Sequence, residues 1–205
     1  NNGVTSPKVN FIAPFILDPN NSDRMLFGGQ SLWRTNNVRT SSPGQPAWTA
    51  IKGPQTSRFC QANPANSFCV TNPNTNISFI AVAPGSPDIV WVGYNDGQLF
   101  TTTNGTAVAP AWTNIAYTGL VSAPSRAVLR ILVDPSNSQR VWVGLGGYNT
   151  GNVVLTVNGG GNWTDVHGNL PAGECYTAPV EETFTGKIVI SLIDDKLGPG
   201  VMTFK

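Results

Sequence analysis

Charge is scarce in this chain. Lys, Arg, Asp and Glu make up 11% of its 205 residues, against about 25% in an average soluble domain. Twelve basic and eleven acidic residues leave a formal net charge of +1, with no block of like sign. That excludes a basic nucleic-acid-binding surface. Histidine occurs once, at His167, and no Cys-x-x-Cys pair is present, so the sequence offers no metal-ligand cluster and no cofactor motif. No apolar run approaches the ~18 residues of a membrane span. No stretch keeps a helical i, i+3, i+4, i+7 stripe, which argues against a helical domain. No secretory leader is visible, and Asn1-Asn2-Gly3 reads as a mature or trimmed end.

What is present is apolar residue enough for a core (40%), with 22 glycines and 16 prolines as punctuation. Short β-rich runs recur: Phe15-Ile16-Leu17, Phe79-Ile80-Ala81-Val82, Val128 to Val133, Val153 to Val157 and Lys187 to Ile193 among them. Turn-formers separate them, so the chain reads as all-β.

Three segments align without gaps. Asp18-Pro19-Asn20-Asn21-Ser22-Asp23-Arg24-Met25-Leu26-Phe27-Gly28 matches the stretches Ala83 to Gly93 and Asp134 to Gly144. Each is a polar turn followed by an apolar strand that stops at Gly. The match continues through Leu32 to Asn37, Leu99 to Asn104 and Val153 to Asn158. A Trp-Thr pair follows each, at Trp48, Trp112 and Trp163. Four antiparallel strands repeated at about 50 residues is the pattern of a β-propeller blade. The expected blades are approximately 10–52, 76–116, 127–167 and a shortened 175–205, which lacks a Trp-bearing fourth strand. Residues 53–75 form an inserted loop. Propellers typically close with about four to eight blades. Three full blades and part of a fourth either close as an unusually small four-bladed ring, or belong to a longer polypeptide, or have their edge strands covered by a partner. The expectation is that a further chain or subunit completes the propeller.

Two cysteines, Cys60 and Cys69, flank a polar stretch in that insert, and a disulfide between them would staple it. Cys175 is then either a buried thiol or a partner for something outside the chain. Sequons stand at Asn20, Asn76, Asn104 and Asn162 and matter in a eukaryotic secretory pathway. Few lysines, many Asn, Thr, Gly and Ser, and the expected disulfide point to an extracellular or periplasmic protein.

The run Thr156-Val157-Asn158-Gly159-Gly160-Gly161-Asn162-Trp163 resembles the Asp-box of BNR-repeat propellers: Ser/Thr, any, Asp, any, Gly, any, any, Trp. Thr35, Asn37 and Trp48, and Thr102, Asn104 and Trp112, keep the ends of the same motif around longer loops. Asn stands for the box Asp in all three units. In that family, which includes sialidases, xyloglucan-active glycoside hydrolases and sortilin-type receptors, the box is a folding element. The resemblance implies that these residues, with Gly160, hold turns and pack between blades. Asn accepts the same turn hydrogen bonds.

On the propeller face commonly used for ligands, the second-to-third-strand loops contribute Tyr94, Asn95, Asp96, Tyr148 and Asn149. Arg126 lies on a blade-connecting loop and Arg130 on an innermost strand. Tyr rings beside Asn and Asp suit a sugar, although Tyr-Asn-Gly is also ordinary hairpin chemistry. Arg130 either pairs with an acid near the central channel or meets an anionic ligand. A sialidase-like site would draw on Arg58, Arg126, Arg130, Tyr176 and Glu181 or Glu182, but Arg130-Ile131-Leu132 is not the family's Arg-Ile-Pro. A glycosidase needs two acids at a defined separation, and no such pair stands out. The expectation is a recognition module for glycan or protein, with no catalytic residue assigned. The alternatives are a piece of a larger glycoside hydrolase or a structural subunit of an extracellular assembly.

Overall fold

The structure, a computed structural model, describes residues 8–40, 45–147 and 151–169 in full. It also gives the backbone of three later strands, Val180–Thr183, Lys187–Asp194 and Gly198–Thr203.

The first blade is a meander of β1 (Phe15–Asp18), β2 (Asn21–Gly28), β3 (Leu32–Thr35) and β4 (Thr49–Lys52). An insert follows, with β5 (Gln55–Thr56), α1 (Arg58–Ala62), α2 (Ser67–Thr71) and β6 (Asn74–Thr75). The second blade holds β7 (Ile77–Ala83), β8 (Ser86–Tyr94), β9 (Leu99–Thr102) and β10 (Thr113–Asn114). The third holds β11 (Val128–Asp134), β12 (Asn137–Leu145), β13 (Val153–Thr156) and β14 (Thr164–Asp165). Strands β15 (Val180–Thr183), β16 (Lys187–Asp194) and β17 (Gly198–Thr203) form a three-stranded sheet. All these pairings are antiparallel. The all-β blade architecture expected from the repeat is what the chain adopts.

Register follows from the turns. In the first and third blades an Asp opens the hairpin and folds back on it. Asp18 Oδ1 accepts from the Asn20 amide and Asp134 Oδ1 from the Ser136 amide, both at 2.8 Å. Six residues on, Arg24 and Arg140 pair with the other carboxylate oxygen at 2.8 and 3.0 Å. The second blade has Ala83 there and turns instead on Gly85, at φ +73°. The conserved spacing of the strand-ending glycine has a packing reason. A Cβ on Gly28 would lie 2.8 Å from Ile77, and one on Gly93 2.4 Å from Val128. Ile77 and Val128 begin the inner strands of the following blades, so each glycine lets the next sheet close in.

Two apolar clusters glue the blades face to face. Leu26, Leu32 and Ile51 of the first blade meet Ile77, Ile80, Val90, Val92, Tyr94 and Phe100 of the second. Trp91 and Leu99 of the second meet Ile131, Val133, Val141, Val143, Val154 and Trp163 of the third. Each blade thus buries both faces only where it has two neighbours, which explains the low charge of the chain.

The box turns share one hydrogen-bond scheme despite loops of different length. The hydroxyls of Thr35, Thr102 and Thr156 donate to Oδ1 of Asn37, Asn104 and Asn158 at 2.7, 2.7 and 2.9 Å. The same oxygens accept from the amides of Ala47, Ala111 and Asn162, each one residue before the box Trp. In the third box Thr156 Oγ1 also accepts from the Gly160 amide at 3.0 Å. A side-chain oxygen that satisfies turn amides is what fixes the following Trp in place. Trp112 Nε1 then donates to Ile51 O of the preceding blade at 2.8 Å.

The insert is not a bare loop. Ser57 and Asn66 cap its two one-turn helices, and Cys60 and Cys69 form the expected disulfide between them. Among the described residues no helix is long and apolar enough to cross a membrane.

Candidate functional site

The loop from Gly119 to Arg126 leaves the second blade and enters the third. Its start is clamped where Trp163 donates its amide to Thr118 O at 2.7 Å. A Cβ on Gly119, at φ +98°, would lie 2.7 Å from Trp163 O, so the chain passes there only as glycine. Its far end lies across the β8–β9 turn, with Pro124 O placed where a Cβ of Gly97 would be. Between this loop and the third blade opens a cleft of about 650 Å³, lined among others by Leu120, Ser122, Ser125, Arg126, Trp163 and Asp165.

Arg126 forms one wall. Its guanidinium donates to Asn152 Oδ1 at 2.5 Å and Gly151 O at 3.1 Å. Burial lowers its pKa, and the Asp165 carboxylate works against that shift. Asp165 Oδ1 in turn accepts from the His167 amide at 3.0 Å and stands 2.7 Å from His167 Nδ1. The cleft therefore offers hydroxyls, a carboxylate and a guanidinium beside aliphatic surface. That set suits a polyhydroxylated ligand, whose hydroxyls need donors and acceptors and whose C–H faces need apolar contact. Among the described lining residues Asp165 is the one acid, so the pair required for glycoside hydrolysis is not assembled here. Among the described residues no three His, Cys, Asp or Glu side chains gather to hold a metal ion.

The residues singled out from the sequence are dispersed by the fold. Among the described candidate ligand residues, Arg126 is the one that lines the cleft. Tyr94 is fully buried between the first two blades, edge-on to Phe100 at 5.7 Å, so its ring is not presented to a ligand. Asn95 is exposed and exchanges amide hydrogen bonds with Asn10, at 2.7 and 3.1 Å. Asp96 is committed to the insert: Oδ2 accepts from the Arg58 amide at 2.8 Å and from Gln98 Nε2 at 2.9 Å. Arg130 lies over the Phe79 ring, 5.2 Å from its centroid. Tyr148 and Asn149 lie outside the described residues, as do Cys175 and Tyr176.

One notable residue gave no sequence signal. Lys52, at the end of β4, is buried with its ammonium 3.9 Å from the Phe100 centroid and 5.4 Å from that of Tyr94. Burial pulls its pKa down to about 8. A lysine closing a strand normally reads as a solvated end, and only the three-dimensional stacking of blades encloses it.

No family model and no curated protein matches the sequence. Solved structures do match the fold. A xyloglucanase of glycoside hydrolase family GH74 from Xanthomonas campestris superposes with a TM-score of 0.56 at 16% identity, over 92% of this chain and 28% of that one. An ancestral GH74 enzyme gives 0.51 at 18% identity, over 98% and 26%. The Cps50 (Swd1) β-propeller domain of Myceliophteria thermophila gives 0.50 at 12% identity, over 96% and 62%. These likenesses establish the β-propeller fold. The chain spans about a quarter of the length of the two GH74 enzymes it matches.

Proposed function

We propose that the chain is the recognition part of a secreted β-propeller and binds a neutral or weakly acidic glycan in the cleft beneath the 119–126 loop. The observation that carries this reading is the cleft lining itself: Ser122, Ser125 and Asp165 for hydroxyls, Leu120 and Val121 for a sugar's C–H face. The Cys60–Cys69 disulfide supports an oxidising compartment, extracellular or periplasmic. A screen of the purified chain against an oligosaccharide array tests the proposal. Hits among hexose- and pentose-based oligosaccharides support it, and binding to none sinks it.

A second reading has its own support. The likeness to a GH74 xyloglucanase and to an ancestral GH74 enzyme favours a portion of a larger glycoside hydrolase, with the paired acids supplied outside the described residues. Release of reducing ends from xyloglucan by the chain alone, or only by a longer polypeptide containing it, separates the two readings.

A further inference from the structure

The insert between the first two blades uses one short motif twice. Residues 57–63 and 66–72 each run as a capping Ser or Asn, a single helical turn carrying Phe-Cys, and a closing Asn. Ser57 Oγ accepts from the Cys60 amide at 3.2 Å, and Asn66 Oδ1 from the Phe68 amide at 3.0 Å. The amides of Asn63 and Asn72 return to Phe59 O and Phe68 O at 2.9 and 2.7 Å. Cys60 and Cys69 are buried and join the two turns. The phenylalanine before each cysteine does the opposite: Phe59 is 54% exposed and Phe68 58%. Caps and disulfide thus fix two rings at the surface rather than burying them, which is not the ordinary use of Phe.

No charged residue lies between Phe59 and Asn72. Asn63 Nδ2 and Asn66 Oδ1 are spent on their own turns, at 2.9 and 3.0 Å, and the other polar atom of each amide has no partner among the described residues. Apolar rings beside unspent amides, without charge, match the C–H faces and hydroxyls of a neutral sugar. The insert also adjoins the cleft, with the β8–β9 turn between them. Asp96 Oδ2 accepts from the Arg58 amide at 2.8 Å, one residue before Phe59. On the next residue, Pro124 O and Arg126 O crowd the place that a Cβ of Gly97 would take, and Pro124 and Arg126 both line the cleft. Insert, turn and cleft loop therefore touch in that order. The insert and the cleft loop are equivalent connections, each leading from an outer strand into the inner strand of the next blade, so they lie on one face of the propeller.

We propose that the ligand of the cleft is a linear, neutral polysaccharide, and that Phe59 and Phe68 are outer subsites on which its chain stacks after crossing the Asp96–Gly97 turn. This inference rests on the glycan reading of the cleft. A second set of ring and amide contacts beyond the cleft serves only a ligand long enough to reach both. Holding the rings on a stapled, capped scaffold lowers the ordering cost of binding. Contacts at two places on one ligand act together through a high effective concentration, so affinity grows with ligand length.

Isothermal titration of the purified chain with the disaccharide and the hexasaccharide of the cello-, xylo- and manno-series tests this, beside a Phe59→Ala, Phe68→Ala variant. In at least one series the hexasaccharide should bind about tenfold or more tighter than the disaccharide. The double variant should bring the hexasaccharide down to the disaccharide's affinity and leave the disaccharide unchanged. Both side chains are exposed, so its far-UV circular dichroism should stay as it is. In the unaltered protein, the hexasaccharide should shift the NMR ring resonances of Phe59 and Phe68, and the disaccharide should not. Affinity independent of length overturns the proposal. So does a hexasaccharide affinity unmoved by the double variant, an equal loss for both ligands, unmoved ring resonances, or no binding in any series. Disaccharide binding in those cases leaves the cleft reading standing. Failure of every glycan on the array is the separate result that sinks the cleft reading, and this one with it.

Discussion

Trp163 of the third blade meets Trp91 of the second edge-on, with ring centroids 6.3 Å apart and planes at 89°. Both rings are nearly inaccessible, and Tyr117 closes the other side of Trp163 at 5.2 Å. This contact ties a box turn to the blade before it, and the backbone of the same Trp clamps the loop that roofs the cleft. Stability and site therefore share one residue.

Trp163→Ala is expected to lower the stability of the chain by about 3–5 kcal/mol, the range for emptying a buried aromatic site. Urea unfolding followed by circular dichroism measures it. Trp48→Ala, at a half-buried position, should cost clearly less in the monomer.

The box Asn acts through its acceptor oxygen. Asn158→Ala removes the partner of the Asn162 amide and the Thr156 hydroxyl and should cost about 1–3 kcal/mol. Asn158→Asp keeps the acceptor and should restore the lost stability at pH 7. A carboxylate held by these donors has a folded pKa below its unfolded one, so that stability should fade as pH drops through the folded value. Parallel melts of the two variants across the carboxylate range, roughly pH 3 to 7, decide it.

Lys52 changes stability in the same sense, in an alkaline window. Its folded pKa of about 8 lies below the usual 10.5, so between those values the unfolded chain binds the extra proton. Stability should therefore rise with pH across that window, and the penalty of a buried charge is fully present below it. Lys52→Met should stabilise the chain at pH 7 and flatten the rise. Thermal midpoints of both proteins across this window provide the check.

Reduction of the Cys60–Cys69 bridge frees a short loop and should cost about 2–3 kcal/mol. The effect should centre on α1 and α2, with Asp96 and Gln98 tying α1 to the second blade. Hydrogen exchange with and without reductant should show faster exchange in 57–72 and little change in the blade strands.

Most of the fold was legible because a repeat declares itself three times. The strand-ending Gly and the box Asn and Trp recur in all three units and the turn Asp in two, and a sheet stacked on like sheets needs those residues at those places. The disulfide was legible from two cysteines around a polar loop. Tyr94 was misread because Tyr-Asn-Asp-Gly looks like a surface turn. Strand β8 runs through Tyr94, whose ring joins Val92 on the buried face by the alternation of a strand. The aligned Leu145 of the third unit, also buried, carried that signal. The cleft was less legible, since its roof is mostly small, uncharged residues whose role depends on where the loop lands. Asp165 gained meaning only when β14 placed it beside Arg126, with His167 Nδ1 against its carboxylate.

The central claim is that the cleft holds a sugar. Isothermal titration of the purified chain with an oligosaccharide found by the array screen tests it most directly, run beside Asp165→Ala and Ser122→Ala. Saturable binding weakened at least about tenfold in Asp165→Ala, a change of about 1.4 kcal/mol, is the predicted result. Affinity unchanged in both variants, or no heat with any glycan, would contradict the account.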